Sequence, residues 1–123
     1  MYIKEVSKLY NIREETLRYY EKAGIIPKVR RNESGIRDYS EQDLGWVENA
    51  ICMRKAGMPV HAIAEYVELT KQGDQTLEKR LALLMEQREK LIEEQERMNT
   101  MIDRISYKIR HFQEKIEAAN NPD

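Results

Sequence analysis

The chain is poor in the residues that staple a fold, punctuate it or line chemical sites. One cysteine, Cys52, stands among 123 residues. A lone thiol cannot close an internal disulfide or build a multi-thiolate metal cage. The two histidines, His61 and His111, lie far apart in sequence, so no metal centre or bound cofactor is expected. Aromatic residues make up 7% and charged residues 35%, a balance that suits exposed helices better than the interior of a large enzyme. Mean hydropathy is −0.78. No apolar run approaches the roughly 18 residues needed to cross a bilayer. The first residues read as structure and not as a secretion signal, so a cytoplasmic protein without a membrane partner is expected. No nucleophile–base pair, carboxylate pair or phosphate-binding loop stands out; an enzyme is not expected unless folding brings a histidine to Cys52. The length allows one modest domain and an extension, with a core small enough that a partner chain would help.

Glycine and proline are also scarce, five and three, and their positions divide the chain. Ile3, Val6 and Tyr10 follow a helical stripe that breaks at Asn11-Ile12. A second helix is expected from near Arg13 to about Ala23, closed by Gly24 as a C′ glycine. Two helices joined by so tight a break suggest a helix-turn-helix. After Pro27, the cluster Asn32-Glu33-Ser34-Gly35 is flanked by short arms and reads as a basic hairpin, or wing. Ser40 with Asp43 three residues on resembles a capping box, and Leu44, Val47 and Ile51 give the next helix an apolar face. Gly57 ends that helix. Pro59 opens another, which runs to about Leu69 before a hinge-like break at Gln72-Gly73-Asp74. Trp46, Met53 and Tyr66 have the spacing of core residues and not of a ligand cage.

From Thr76 to Glu117 there is neither glycine nor proline. Leu77, Leu84, Leu91, Met98, Ile105 and Phe112 recur every seven residues, and Leu81, Arg88, Gln95, Ile102, Ile109 and Ile116 follow each by four. Ten of these twelve positions are large and apolar, which defines a coiled-coil seam. The helix would be roughly 60 Å long at 1.5 Å per residue. No second long helix exists to cover the seam, so a homodimer is the simplest expectation. Leu77, Leu81, Leu84, Leu91, Met98, Ile102, Ile105, Ile109, Phe112 and Ile116 are its candidate dimerisation residues. Two readings fit the polar positions Arg88 and Gln95: a device that fixes register, or a gap where the helices splay or meet the head. The expected organisation is a winged helix-turn-helix head over 1–72, a dimerisation helix over 73–118 and a frayed tail over 119–123.

Net charge is −1, so the whole molecule is not a basic polyanion binder. Its distribution is uneven: residues 28–37 hold Lys28, Arg30, Arg31 and Arg37 against Glu33 alone. In the second helix Glu15, Arg18, Tyr19 and Lys22 share one face, with Leu17 and Tyr20 turned to the core. Arginine can grip phosphate or guanine bidentately, and a phenol can donate to phosphate. The helix and the basic hairpin could therefore straddle one duplex, helix in the major groove and wing along the backbone. A solvated helix face explains the same spacing without a ligand.

Thr16-Leu17-Arg18-Tyr19-Tyr20-Glu21, then Gly24-Ile25-Ile26, Gly35-Ile36-Arg37-Asp38-Tyr39 and Asp43-Leu44 together resemble the MerR family. The motifs cover about the first 70 residues, and the remainder is similar in architecture. The resemblance implies a mostly α fold: a winged helix-turn-helix head and a long C-terminal helix forming an antiparallel coiled-coil homodimer. It implies binding to a pseudo-palindromic promoter that is bent and untwisted for RNA polymerase, at an elastic cost repaid by contacts. It assigns DNA contact to Arg18 and Tyr19 on the recognition helix and to Arg37 and Tyr39 on the wing. With Lys22, Arg30 and Arg31 from the charge pattern, these form the candidate interface. The start of the helix after Gly57 often reaches phosphate in this family, and Pro59 removes one N–H there. Glu15 and Arg13 depart from the usual pattern, the one from a purely basic reading face, the other from a Ser or Thr cap.

The stretch Asp43-Leu44-Gly45-Trp46-Val47-Glu48, with Ala50, Cys52-Met53-Arg54 and Ala56-Gly57-Met58, resembles the AdhR/NmlR-like branch. That resemblance implies sensing of reactive aldehydes, electrophiles or thiol stress through Cys52. Locally, Arg54 and Lys55 would favour a thiolate, while Glu48 and the helix C-terminus would oppose it. A small apolar filler is the other reading of Cys52. A coiled-coil adaptor whose head docks protein, with no sensing role, is the alternative to the DNA-binding regulator.

Overall fold

The computed structural model describes residues 1–121; Pro122 and Asp123, the end of the expected tail, lie outside the described residues. Five α-helices follow one another: α1 (Ile3–Tyr10), α2 (Glu14–Lys22), α3 (Glu41–Lys55), α4 (Val60–Lys71) and α5 (Leu77–Asn120), with a 3-10 turn at Asp74–Thr76 ahead of α5. The chain divides into two compact units, Met1–Gln87 and Arg88–Asp123.

The first unit is a helical head. Asn11 turns the chain between α1 and α2 in the left-handed region, φ 53°, a conformation that asparagine tolerates better than most residues. α2 starts behind Arg13, which makes no side-chain cap, and ends at Ala23 with Gly24 following at φ +78°. Only a residue without Cβ strain takes that angle freely. Ser40 and Asp43 form the reciprocal capping box: the Asp43 amide donates to Ser40 Oγ (3.1 Å) and the Ser40 amide to Asp43 Oδ2 (2.9 Å). Val6, Leu17, Val47 and Ile63 are fully enclosed, together with Ile25, Ile26 and Val29 from the segment after α2. Leu44, Ile51, Trp46 and Tyr66 pack around this centre half-buried, and the indole meets the phenol edge-on at 6.2 Å.

The wing is a tight turn and not a pair of strands. Among the described residues its pairing consists of isolated antiparallel bridges, Arg31 with Arg37 and Asp38 with Tyr2. The Asn32 amide donates to the Ile36 carbonyl and the Asp38 amide to the Arg30 carbonyl. Asn32 Oδ1 accepts from the Ser34 and Ile36 amides, and Arg31 donates to the Gly35 carbonyl (2.8 Å). Side chains thus close a loop too short to stabilise itself by a ladder. The N-terminal ammonium anchors its far arm, at 2.8 Å from Asp38 Oδ1 and 3.0 Å from the Tyr39 carbonyl.

α5 begins within the head. Thr76, Leu83 and Gln87 are buried, Arg80 is half-buried, and Leu83 joins the head's core. Residues 76, 80, 83 and 87 form one helical stripe at i, i+4, i+7 and i+11. Beside it Leu77, Leu81 and Leu84 remain exposed. In the second unit Met98, Ile102, Ile105, Ile109, Phe112 and Ile116 are exposed along the same heptad register, and Leu91 is half-buried. The helix continues through Ala118 and Ala119, the best helix formers, to Asn120, so the expected tail begins later than position 119.

Three phenols have raised pKa values. Tyr10 is pushed up to about 12 by desolvation, then by its hydrogen bond to Glu48 (2.8 Å) and that carboxylate's charge. Tyr20 and Tyr39 are raised chiefly by burial. A phenol raised on folding is neutral in both states below pH 10, so it leaves stability unchanged there. Above that the unfolded chain ionises first and stability is lost as pH climbs toward the folded values. The melting temperature is expected to hold from about pH 7 to about pH 9 and to fall between about 10 and 12. Tyr10→Phe should make that alkaline fall shallower; an unchanged slope in circular-dichroism melts counts against this assignment.

Candidate nucleic-acid interface

α2 shows two opposed faces. Leu17 and Tyr20 are buried, while Glu15, Arg18, Tyr19 and Lys22 are exposed. Arg30 and Arg31 are exposed on the wing, and with Lys28, Asn32, Glu33 and Asp38 they border a shallow groove that extends to the start of α3. These cations are held on bonded or packed backbone: Arg30 by the bonded wing arm, Arg18 and Lys22 by a helix packed through Leu17 and Tyr20.

Arg37 ties the two elements together. Its Nε donates to Glu21 Oε1 at 2.8 Å, and both side chains are largely shielded from solvent. In low effective dielectric such a charge-assisted bond is stronger than a surface pair. It fixes the wing against α2. The carboxylate engages Nε, which leaves the Nη edge of the guanidinium geometrically separate from this bond. Sequence spacing alone did not pair these residues, because sixteen positions separate them.

Tyr39 corrects the sequence reading. It was expected on the interface, yet it is 2% exposed and belongs to the core. The pull of apolar neighbours on a ring that follows a bridge at Asp38 turns it inward. Its hydroxyl is buried with no hydrogen-bond partner among the described residues. The Tyr39 side chain therefore supports the wing from beneath and does not face solvent.

Pro59 occupies the N-cap position of α4, one residue before the helix. Its missing N–H thus precedes the first turn; the Val60 and His61 amides remain there, and the Ala62 amide donates to the Pro59 carbonyl at 3.0 Å.

Cys52 lies on α3 and is exposed. Glu48, one turn before it, is held by the Tyr10 hydroxyl, and Arg54 Nη1 donates to the Met58 carbonyl at 2.8 Å. Of the three charges expected to act on the thiol, two are thus committed to fixed partners, and Lys55 is exposed. Among the described residues no group of three or more His, Cys, Asp or Glu side chains is placed to hold a metal ion. Among the described residues no helix is long and apolar enough to cross a membrane.

A helix-turn-helix with a cationic outer face, a braced basic turn and a long helix define a regulator of the nucleic-acid-binding class. Residues 1–70 match the model of the MerR HTH family of regulatory proteins. The chain belongs to that family and is a transcriptional regulator of the MerR type. It is 47% identical over 93 residues to the HTH-type transcriptional regulator AdhR of Bacillus subtilis, covering 76% of this chain and 66% of that protein. It thus spans just under two thirds of that relative's length. YfmP of the same organism is 35% identical over 116 residues, 92% of this chain and 83% of its own. Among solved structures, a MerR family regulator from Listeria monocytogenes superposes with a TM-score of 0.89 at 36% identity, covering 98% of this chain and 96% of that one. HiNmlR, a MerR family regulator lacking the sensor domain and solved bound to promoter DNA, gives 0.81 at 30% identity, over 92% and 90% of the two chains.

Proposed function

We propose that the chain acts as a homodimer in the cytoplasm, binds a pseudo-palindromic promoter and distorts it for RNA polymerase. The observation that carries DNA binding is the exposed Arg18, Tyr19 and Lys22 face of α2 beside the exposed Arg30 and Arg31 of a wing that Arg37 and Glu21 lock to that helix. The promoter-bound HiNmlR supports the same reading. Pairing of two α5 helices is supported by the exposed heptad stripe from Leu77 to Ile116, which a second copy in antiparallel register would cover. Tyr39 acts from inside the head, as a support for Arg37 and not as a direct contact. The test is binding to the promoter duplex beside its own gene across a salt series. Six or more phosphate contacts per dimer would lower affinity by about 10³-fold or more between about 50 and 200 mM salt. A salt-independent interaction would favour a protein-docking adaptor.

The inducer is a reactive aldehyde or another electrophile that adds to Cys52. Solvent access to the thiol and the similarity to AdhR support this. Cys52→Ser is expected to keep promoter affinity within about twofold while losing electrophile-dependent induction, because the hydroxyl is a far weaker nucleophile. Reporter induction by methylglyoxal that survives in the serine variant would reject the assignment.

A further inference from the structure

The link between α4 and α5 is built from polar groups buried where a flexible loop would need none. Thr76 is 3% exposed. Its hydroxyl lies 2.6 Å from the Leu69 carbonyl and 2.8 Å from the Gly73 carbonyl, so its one proton is offered to both. The Leu69 carbonyl, in the last turn of α4, also accepts from the Gln72 amide at 3.1 Å, so the hydroxyl adds a second donor at this helix end. The same hydroxyl oxygen accepts from Arg80 Nε at 3.1 Å, and Arg80 Nη2 donates to the Gly73 carbonyl at 3.1 Å. The Thr76 amide also donates to Gly73. Three elements therefore meet at two side chains: the end of α4, the turn at Gly73 (φ +93°) and the first turn of α5. One and two turns further on, Leu83 and Gln87 bury the same stripe of α5 in the head. A stripe with one apolar member in four gains little from burial alone, so its polar bonds set its angle.

We infer that Thr76 and Arg80 are positioning residues: they fix the angle between α4 and the first turns of α5, and so the half-site spacing that two linked heads accept. The inference rests on the proposed homodimer and its DNA target. An elbow that yields lets each head find its half-site independently. A rigid one makes the dimer choose a single spacing and puts any mismatch into the DNA as twist or bend.

Thr76→Val removes the hydroxyl at nearly constant shape, Thr76→Ser keeps it, and Arg80→Ala removes the second donor. Each would be measured against palindromic duplexes with the natural spacer and with one base pair added or removed. The wild type and Thr76→Ser are expected to prefer one spacer by about tenfold or more, whereas Thr76→Val and Arg80→Ala should fall to about threefold or less. Binding to a single half-site should stay within about twofold, since the reading face is untouched. A purely structural loss would instead weaken half-site and full-site binding together, and that result overturns the proposal. A second readout needs no DNA. With Cys52→Ser replacing the one cysteine in every protein, a nitroxide on Glu65→Cys, exposed on α4 of the head, reports head-to-head distance in the dimer. The distance distribution should be narrow for wild type and Thr76→Ser and about twice as broad for the other two, because an unlocked link samples more angles. Equal widths in all four proteins overturn the proposal. Failure of wild type to bind any duplex would instead reject the DNA reading, while the distances still decide the elbow. Absence of a dipolar signal in the wild type overturns both the paired helices and this role.

Discussion

Replacing Arg18 with alanine is expected to lower promoter affinity by about 100-fold, because a bidentate arginine contact is worth about 1–3 kcal/mol and a dimer carries two copies. Arg18 is exposed on the outer face of a helix whose inner face, Leu17 and Tyr20, is locked into the core. The change therefore removes a contact and not a fold, and the melting temperature should stay near the wild-type value. The pattern of the loss identifies the contact. A loss that is equal on all sequences, with a shallower salt dependence, marks a phosphate; one confined to a single base position marks a base edge. Fluorescence-anisotropy titrations showing less than about threefold loss would remove Arg18 from the interface.

Ile105→Glu is expected to turn the homodimer into a monomer at micromolar concentration. Ile105 sits in the heptad stripe of α5 and is among its most exposed side chains, at 60%. Burying such a side chain contributes about 1.5–3 kcal/mol, and two copies are lost at once. The new carboxylates would also enter an apolar seam without partners, a further cost of several kcal/mol. Promoter affinity should then drop by about 10²–10⁴-fold, the advantage that tethering a second head confers. Arg104→Glu introduces the same charge one residue away on another face of α5 and should leave the dimer intact. Sedimentation equilibrium decides: a dimer that survives Ile105→Glu means that this stripe is covered by something other than a second copy.

Both expectations began with periodicity, and periodicity marks what was legible in the sequence. Apolar spacing located α1, α3, α4 and α5, because each buries or offers one face and repeats at the helical period. Glycines at 24 and 57 and the Ser40–Asp43 box marked ends that the structure keeps. The stripe at 76, 80, 83 and 87 carries no apolar period. It reads Thr, Arg, Leu, Gln, with Leu83 its one apolar member. The stronger leucine register one residue along marks the seam alone. Gln87 is a polar α5 side chain buried within the first unit.

The wing shows the same division. Its turn was visible in Asn32 to Gly35, and its charge in four cations over ten residues. Which of its side chains face outward was not. Arg37 and Tyr39 are two positions apart, so a regular extended strand would put both on one side. In the fold Tyr39 sinks into the core and Arg37 turns to Glu21.

The order of residues by itself determined the helices, most of their ends, the long heptad stripe with its polar positions Arg88 and Gln95, and the cationic face of α2, since each depends on neighbours within a few turns. Only tertiary packing decided that Tyr39 is interior, that Arg37 pairs with Glu21 and that Thr76 and Arg80 clamp the elbow. Those outcomes depend on which distant groups come within hydrogen-bond reach, and no local period encodes that distance.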